Sequence, residues 1–137
     1  MVNYYFDTSI WIDLFEERIE PGLDKGKLAI KLVDKISEFG DKILYSGPII
    51  KELIDFGYSP FEIKSFFLPF RRVLIYIHSN KKQAGRAKDL AYKRNIPLFD
   101  ALHAIIARDS MAILISRDRD FKKLKDIVLT KAPEDLI

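Results

Sequence analysis

The chain has 137 residues, enough for one domain with a full core, and its 48% hydrophobic and 31% charged content is that of a globular protein. It has no cysteine, which excludes disulfides and thiolate metal sites, and no run approaches the roughly 18 consecutive apolar residues of a membrane span. The net charge of +3 is unevenly spread: residues 1–70 carry 8 Lys/Arg against 12 Asp/Glu, and residues 71–137 carry 15 against 8.

Val2–Phe6 is an apolar run that predicts a first strand, closed by Asp7. Ser9 is placed to cap a short helix over Ile10–Glu17, and Glu20-Pro21-Gly22 breaks the chain. Leu28, Leu32, Val33, Ile36 and Phe39 recur at helical spacing up to Gly40. Ile43–Tyr45 predicts a second strand. A helix carrying Ile49, Ile50, Leu53 and Ile54 follows and ends at Gly57. Ser59-Pro60-Phe61-Glu62 combines an N-cap, a proline at the first helical position and a capping-box glutamate.

Pro69 ends that helix, and Val73–Ile77 alternates as a third strand. Ser79 to Arg94 is a long Lys/Ala-rich helix, and Asp100–Asp109 a second one in which Asp100 could serve as N-cap. Ala112–Ile115 predicts a fourth strand, Asp120–Leu124 a short helical turn, and Val128–Leu129 a fifth strand. Strands alternating with helices imply an α/β fold of one domain over residues 1–137: a mostly parallel sheet of about four to five strands with helices on both faces. Ligands of such sheets bind beyond the carboxyl ends of the strands.

Asp7, Glu52, Asp100 and Asp118 stand out against that pattern, each lying at the end of, or within, an apolar segment. An unpaired buried charge is costly, so these carboxylates call for a partner. The economical partner is a divalent cation, and oxygen-only ligands select a hard one, Mg²⁺ or Mn²⁺. Asp7, Asp100 and Asp118 are the expected ligands. Such a cation suits hydrolysis of a phosphodiester by an activated water.

Phe6-Asp7-Thr8-Ser9 with Ile12-Asp13, Lys51-Glu52-Leu53, Phe99-Asp100-Ala101-Leu102-His103-Ala104 and Ser116-Arg117-Asp118-Arg119-Asp120-Phe121 together resemble the PIN-domain family. The resemblance spans nearly the whole chain. It implies a PIN-like three-layer fold and a Mg²⁺- or Mn²⁺-dependent endoribonuclease, with Asp7, Glu52, Asp100 and Asp118 as the catalytic acids. Small free-standing relatives of this kind are VapC-type toxins, which implies a cognate antitoxin, a homodimer, an RNA substrate and products with 5′-phosphate and 3′-hydroxyl ends. By the same resemblance Thr8 and Ser9 supply hydroxyls beside the first aspartate, and Ser116 takes a position often held by threonine. Asp120 is expected to assist the metal or brace its loop.

Arg117 and Arg119 flank Asp118 and are the best candidates for phosphate contacts, ahead of Arg71, Arg72, Lys81, Lys82 and Arg86. His103 reads as a packed or hydrogen-bonded helix residue, and Phe66-Phe67-Leu68-Pro69-Phe70 as core or as an interface with an antitoxin or second copy. The N-terminal segment lacks the basic start and cleavage site of a signal peptide, so a cytoplasmic location is expected. A receiver-type signalling domain would need a lysine where Ile115-Ser116-Arg117 has none, and a haloacid-dehalogenase-like phosphatase would need a second aspartate in Asp7-Thr8-Ser9. An RNA-processing nuclease without antitoxin, and a non-catalytic RNA- or protein-binding module of the same fold, are the alternative readings.

Overall fold

The computed structural model describes residues 1–137. In chain order the elements are β1 (Asn3–Phe6), α1 (Thr8–Phe15), β2 (Ile19–Glu20), β3 (Leu23–Asp24), α2 (Lys25–Glu38), β4 (Lys42–Ser46), α3 (Gly47–Phe56), α4 (Pro60–Phe67), β5 (Leu74–Ile77), α5 (Lys81–Arg94), α6 (Leu98–Asp109), β6 (Ala112–Ile115) and β7 (Thr130–Lys131). Short 3₁₀ turns cover Leu68–Phe70, Arg119–Leu124 and Pro133–Asp135. No helix is long and apolar enough to cross a membrane.

Five strands form one sheet in the order β5-β4-β1-β6-β7, and every pairing in it is parallel. This is the α/β architecture read from the alternation of elements. β1 lies at the centre, and its Tyr5 and Phe6 are both fully buried because each face of the sheet is covered. Successive side chains on a strand point to opposite faces. Tyr5 meets His103 of α6 on one side, and Phe6 meets Trp11 of α1 on the other at 5.1 Å between ring centroids. Trp11 also packs edge-on against Phe67 at 4.8 Å, which puts Phe67 of the Phe66–Phe70 stretch in the core and leaves Leu68 exposed. Truncating a buried aromatic of this size to alanine costs about 3–5 kcal/mol.

Local signals set most helix ends. Ser59 and Glu62 form the capping box anticipated for α4. A second box, Asn80 with Gln83, starts α5 at Lys81, two residues later than the helix read from Ser79, because the Asn80 side chain competes successfully for the Gln83 amide. Asn95 closes α5 in the left-handed region, at φ 53°. Helix α1 begins at Thr8, with Asp7 rather than Ser9 as its cap, and stops at Phe15 instead of Glu17. Helix α6 begins at Leu98 after Pro97, so Asp100 sits inside the first turn and is not its N-cap.

The fifth strand is displaced too. Val128 is buried in the core, and pairing with β6 starts only at Thr130. Glu20-Pro21-Gly22 is more than a breaker. It turns a two-by-two hairpin, β2–β3, in which Gly22 adopts φ +76°. The hairpin returns the chain tightly against α1: a Cβ on Gly26 would lie 2.8 Å from Glu17 Cα, so only glycine fits there without a backbone shift.

Candidate active site

With all strands parallel, their carboxyl ends share one edge of the sheet, and the acidic residues gather there. A cleft of about 480 Å³ is lined by Asp7, Thr8, Ser9, Glu52, Asp100, His103 and Asp118, with Phe56 and Phe99 at its sides. The structure thus brings together all four acids singled out in the sequence. It also sorts them into two groups with different chemistry.

Asp7 extends the central strand, its backbone N–H donating to Ile115 O at 3.0 Å. Its carboxylate is buried and fully engaged. Oδ1 accepts from Ser9 Oγ at 2.7 Å and from the Ile10 amide at 3.2 Å, and Oδ2 accepts from Ser116 Oγ. Burial pushes the Asp7 carboxyl above its ordinary range, against the opposing pull of the Ser116, Ser9 and Ile10 bonds. Ser116 Oγ also accepts from the Asp118 amide at 3.0 Å, tying the end of β1 to the loop after β6. Ser9 therefore supports Asp7 directly, and Ser116 supports both Asp7 and Asp118.

Glu52 projects from α3 and is half-buried. Its Oε1 accepts from Thr8 Oγ1 at 2.6 Å and from His103 Nε2. Burial works against ionisation here, but the bonds from His103 and Thr8 outweigh it and hold this carboxyl below its usual range. His103 is buried as a hydrogen-bonded helix residue, and its Nδ1 lies 2.8 Å from the Tyr5 hydroxyl.

The second group is Asp100, Asp118 and Asp120, whose carboxylates can each offer an oxygen within 4.8 Å of the others. Asp118 caps the turn Arg119–Leu124, its Oδ1 accepting from the Asp120 amide at 2.9 Å. That bond carries Asp120 back toward Asp100. Asp100 Oδ2 is buried with no hydrogen-bond partner. Burial, and then the like charges of Asp118, Asp7 and Asp120, push the Asp100 carboxyl up to about 8. An orphaned acidic oxygen facing two further carboxylates fits a hard divalent cation, which would satisfy the oxygen and cancel the repulsion. The convergent set is thus Asp100, Asp118 and Asp120. Asp7 lines the same cleft, and each of its oxygens accepts at least one hydrogen bond.

Arg117 and Arg119 diverge. Arg117 directs Nη1 at both oxygens of Glu134 and is largely buried, whereas Arg119 is exposed. A second cleft of about 570 Å³ adjoins the acidic one at Asp118, and Arg119, Lys122, Lys125 and Lys131 line it. Tyr5 and Ser46 are site residues that sequence reasoning passed over. Both sit inside strands with nothing local to mark them, and only the pairing of β1 with β4 brings them together.

Residues 4–127 match the family model of the PIN domain. No curated protein matches the chain. Among solved structures, the chain resembles VapBC2 from Rickettsia felis bound to a DNA fragment from their promoter, with TM-score 0.71, 16% identity and coverage of 96% of this chain and 98% of that one. A toxin-antitoxin complex from Klebsiella pneumoniae gives TM-score 0.68 at 20% identity, covering 95% and 97%. VapBC-1 from nontypeable Haemophilus influenzae gives 0.68 at 20%, covering 97% and 99%. At these identities the likeness is one of fold.

Proposed function

The chain belongs to the PIN-domain family, and from that premise we propose that its acidic cleft is the active site of a Mg²⁺- or Mn²⁺-dependent endoribonuclease. The observation that carries this reading is the convergence of Asp100, Asp118 and Asp120 around the unpartnered, buried Asp100 Oδ2. These three carboxylates would hold the cation. When bound, it would polarise a phosphoryl oxygen of the substrate and acidify an attacking water.

The remaining steps belong to side chains. Glu52 keeps Oε1 in its bonds to Thr8 and His103, so Oε2 is the oxygen that can take a proton from water in the cleft. Asp7 holds the hydroxyls of Ser9 and Ser116, and through Ser116 fixes the backbone from which Asp118 projects. Arg119, with Lys122, Lys125 and Lys131, lines a path for the substrate's phosphates; Arg117 is committed to Glu134. Attack by water in line with the leaving 3′-oxygen gives a 5′-phosphate and a 3′-hydroxyl.

The biological setting we assign is that of a cytoplasmic toxin held by a cognate antitoxin, in a homodimer. Support comes from the solved complexes of the same fold, which are toxin–antitoxin assemblies. It comes also from the exposed apolar residues of α3 and α4, among them Ile54, Phe56 and Phe61, followed by Leu68, which a partner would cover.

The test is cleavage of a structured and an unstructured RNA by wild type and by Asp100→Asn, in Mg²⁺, Mn²⁺ or EDTA. Cutting that needs metal and falls by about 100-fold or more in the variant is the expected result. Cutting that survives both EDTA and the substitution would overturn the reading.

A further inference from the structure

His103 lies in the middle of α6, 1% exposed, and each ring nitrogen is bonded to a different element. Nε2 meets Glu52 Oε1 of α3, and Nδ1 lies 2.8 Å from the Tyr5 hydroxyl of β1. That hydroxyl in turn lies 2.7 Å from Ser46 Oγ at the end of β4. Tyr5 and Ser46 are both fully buried.

An ionised Glu52 can only accept, so Nε2 donates to it. With Nδ1 bare, Tyr5 donates to the ring and Ser46 to Tyr5; with Nδ1 protonated, the same two bonds run the other way. Either way, the run ends on a carboxylate.

Ser46 supplies an independent observation. It occupies the N-cap position of α3, where a serine oxygen ordinarily accepts from an N-terminal amide of the helix. Here the side chain makes no capping bond and turns to Tyr5 instead. The local preference has been given up for the buried chain.

Glu52 has three side-chain torsions and stands on a partly exposed helix face. Left alone it would sample several rotamers. The bonds from His103 and from Thr8 both fall on Oε1, which pins that oxygen and leaves Oε2 without a side-chain partner.

We infer that Ser46, Tyr5 and His103 form a positioning device for Glu52, holding Oε1 so that Oε2 meets the attacking water in one fixed geometry. This rests on the nuclease reading above and adds to it three residues that touch neither substrate nor cation. Their contribution is orientation fixed before the reaction starts, which is how groups behind a reacting carboxylate act on rate.

The experiment combines kinetics with proton NMR of the imidazole. Tyr5→Phe removes only the hydroxyl, His103→Gln keeps an N–H within reach of Glu52, and His103→Leu removes both bonds. His103→Leu is expected to lower kcat by about 10–100-fold with KM unchanged. His103→Gln recovers part of that loss, and Tyr5→Phe gives a smaller one. Wild type should show a strongly downfield Nε2–H resonance that Glu52→Gln abolishes. Should His103→Leu fail to fold, Tyr5→Phe, which keeps the ring in the core, decides alone. A kcat equal to wild type in the folded variants, with only the melting temperature lowered, would overturn the proposal. A wild-type enzyme that cuts RNA without the downfield resonance would overturn it too, leaving the nuclease reading intact. The resonance in a wild-type protein that cuts nothing would sink the nuclease reading, and this one with it.

Discussion

The two walls of the cleft solve the problem of a half-buried carboxylate in opposite ways. On the wall of Asp7 and Glu52, protein donors are supplied in full: three bonds to Asp7 and two to one oxygen of Glu52. On the wall of Asp100, Asp118 and Asp120, a lone backbone amide serves Asp118, while Asp100 Oδ2 is buried with nothing. The first wall is complete as the chain folds. The second is left incomplete by the protein's own donors, and the cation proposed above would complete it. A site that binds a cation needs both, a scaffold that does not move and a deficit that only the cation removes.

Substitutions that exchange the walls' roles should separate them. The largest effect is expected for Asp120→Asn, which weakens Mn²⁺ binding by about 10-fold or more in calorimetric titration, while Asp7→Asn changes it less. Equal losses in the two variants would mean that Asp7 ligates directly and that the division is wrong.

A smaller effect follows from pH. Folding raises the Asp100 pKa to about 8, so the folded, metal-free protein holds a proton that the unfolded chain releases near its ordinary carboxylate range. Stability is then highest below the unfolded value and is lost as pH rises through the folded one. The metal-free melting temperature should fall between about pH 4 and pH 8, and Asp100→Asn should flatten that fall. Added Mg²⁺ should reverse it, more strongly at pH 8 than at pH 6, because ligand and proton compete for the same oxygen. Parallel wild-type and Asp100→Asn curves would remove the buried deficit from the account.

A further effect concerns the completed wall. Ser116→Ala removes a donor to Asp7 and an acceptor for the Asp118 amide, and should cost about 1–3 kcal/mol in denaturant unfolding. A cost within error would show that solvent replaces the hydroxyl and that the wall is less closed than its hydrogen bonds indicate.

The sequence disclosed the completed wall less well than the deficient one. Asp7, Asp100 and Asp118 were legible because each interrupts or bounds an apolar run, and the parallel alternation of elements put their strand ends on one edge. Asp120 reads from the sequence as a support, and its approach to Asp100 and Asp118 depends on the Asp118 cap. Tyr5, Ser46 and the true partners of His103 were not legible. Positions 5 and 103 are bonded across 98 residues, and no periodicity encodes which hydroxyl a strand neighbour will offer. Two helix starts shift for one reason: at Asp7 and Asn80 several capping residues compete within a few positions, and the side chain that accepts from the amide three residues on sets the start. The hairpin β2–β3 escaped because two-residue strands leave no pattern to read.

The central position of β1 bears on how this protein is made. Its first strand pairs on one side with β4, about forty residues downstream, and on the other with β6, after which Ser116 lies 109 residues from Asp7. A chain growing toward its C-terminus can form the β1–β4 half of the sheet while Asp100, Asp118 and Asp120 are still to be added. The acidic cleft is complete only once β6 and the loop after it have closed against β1.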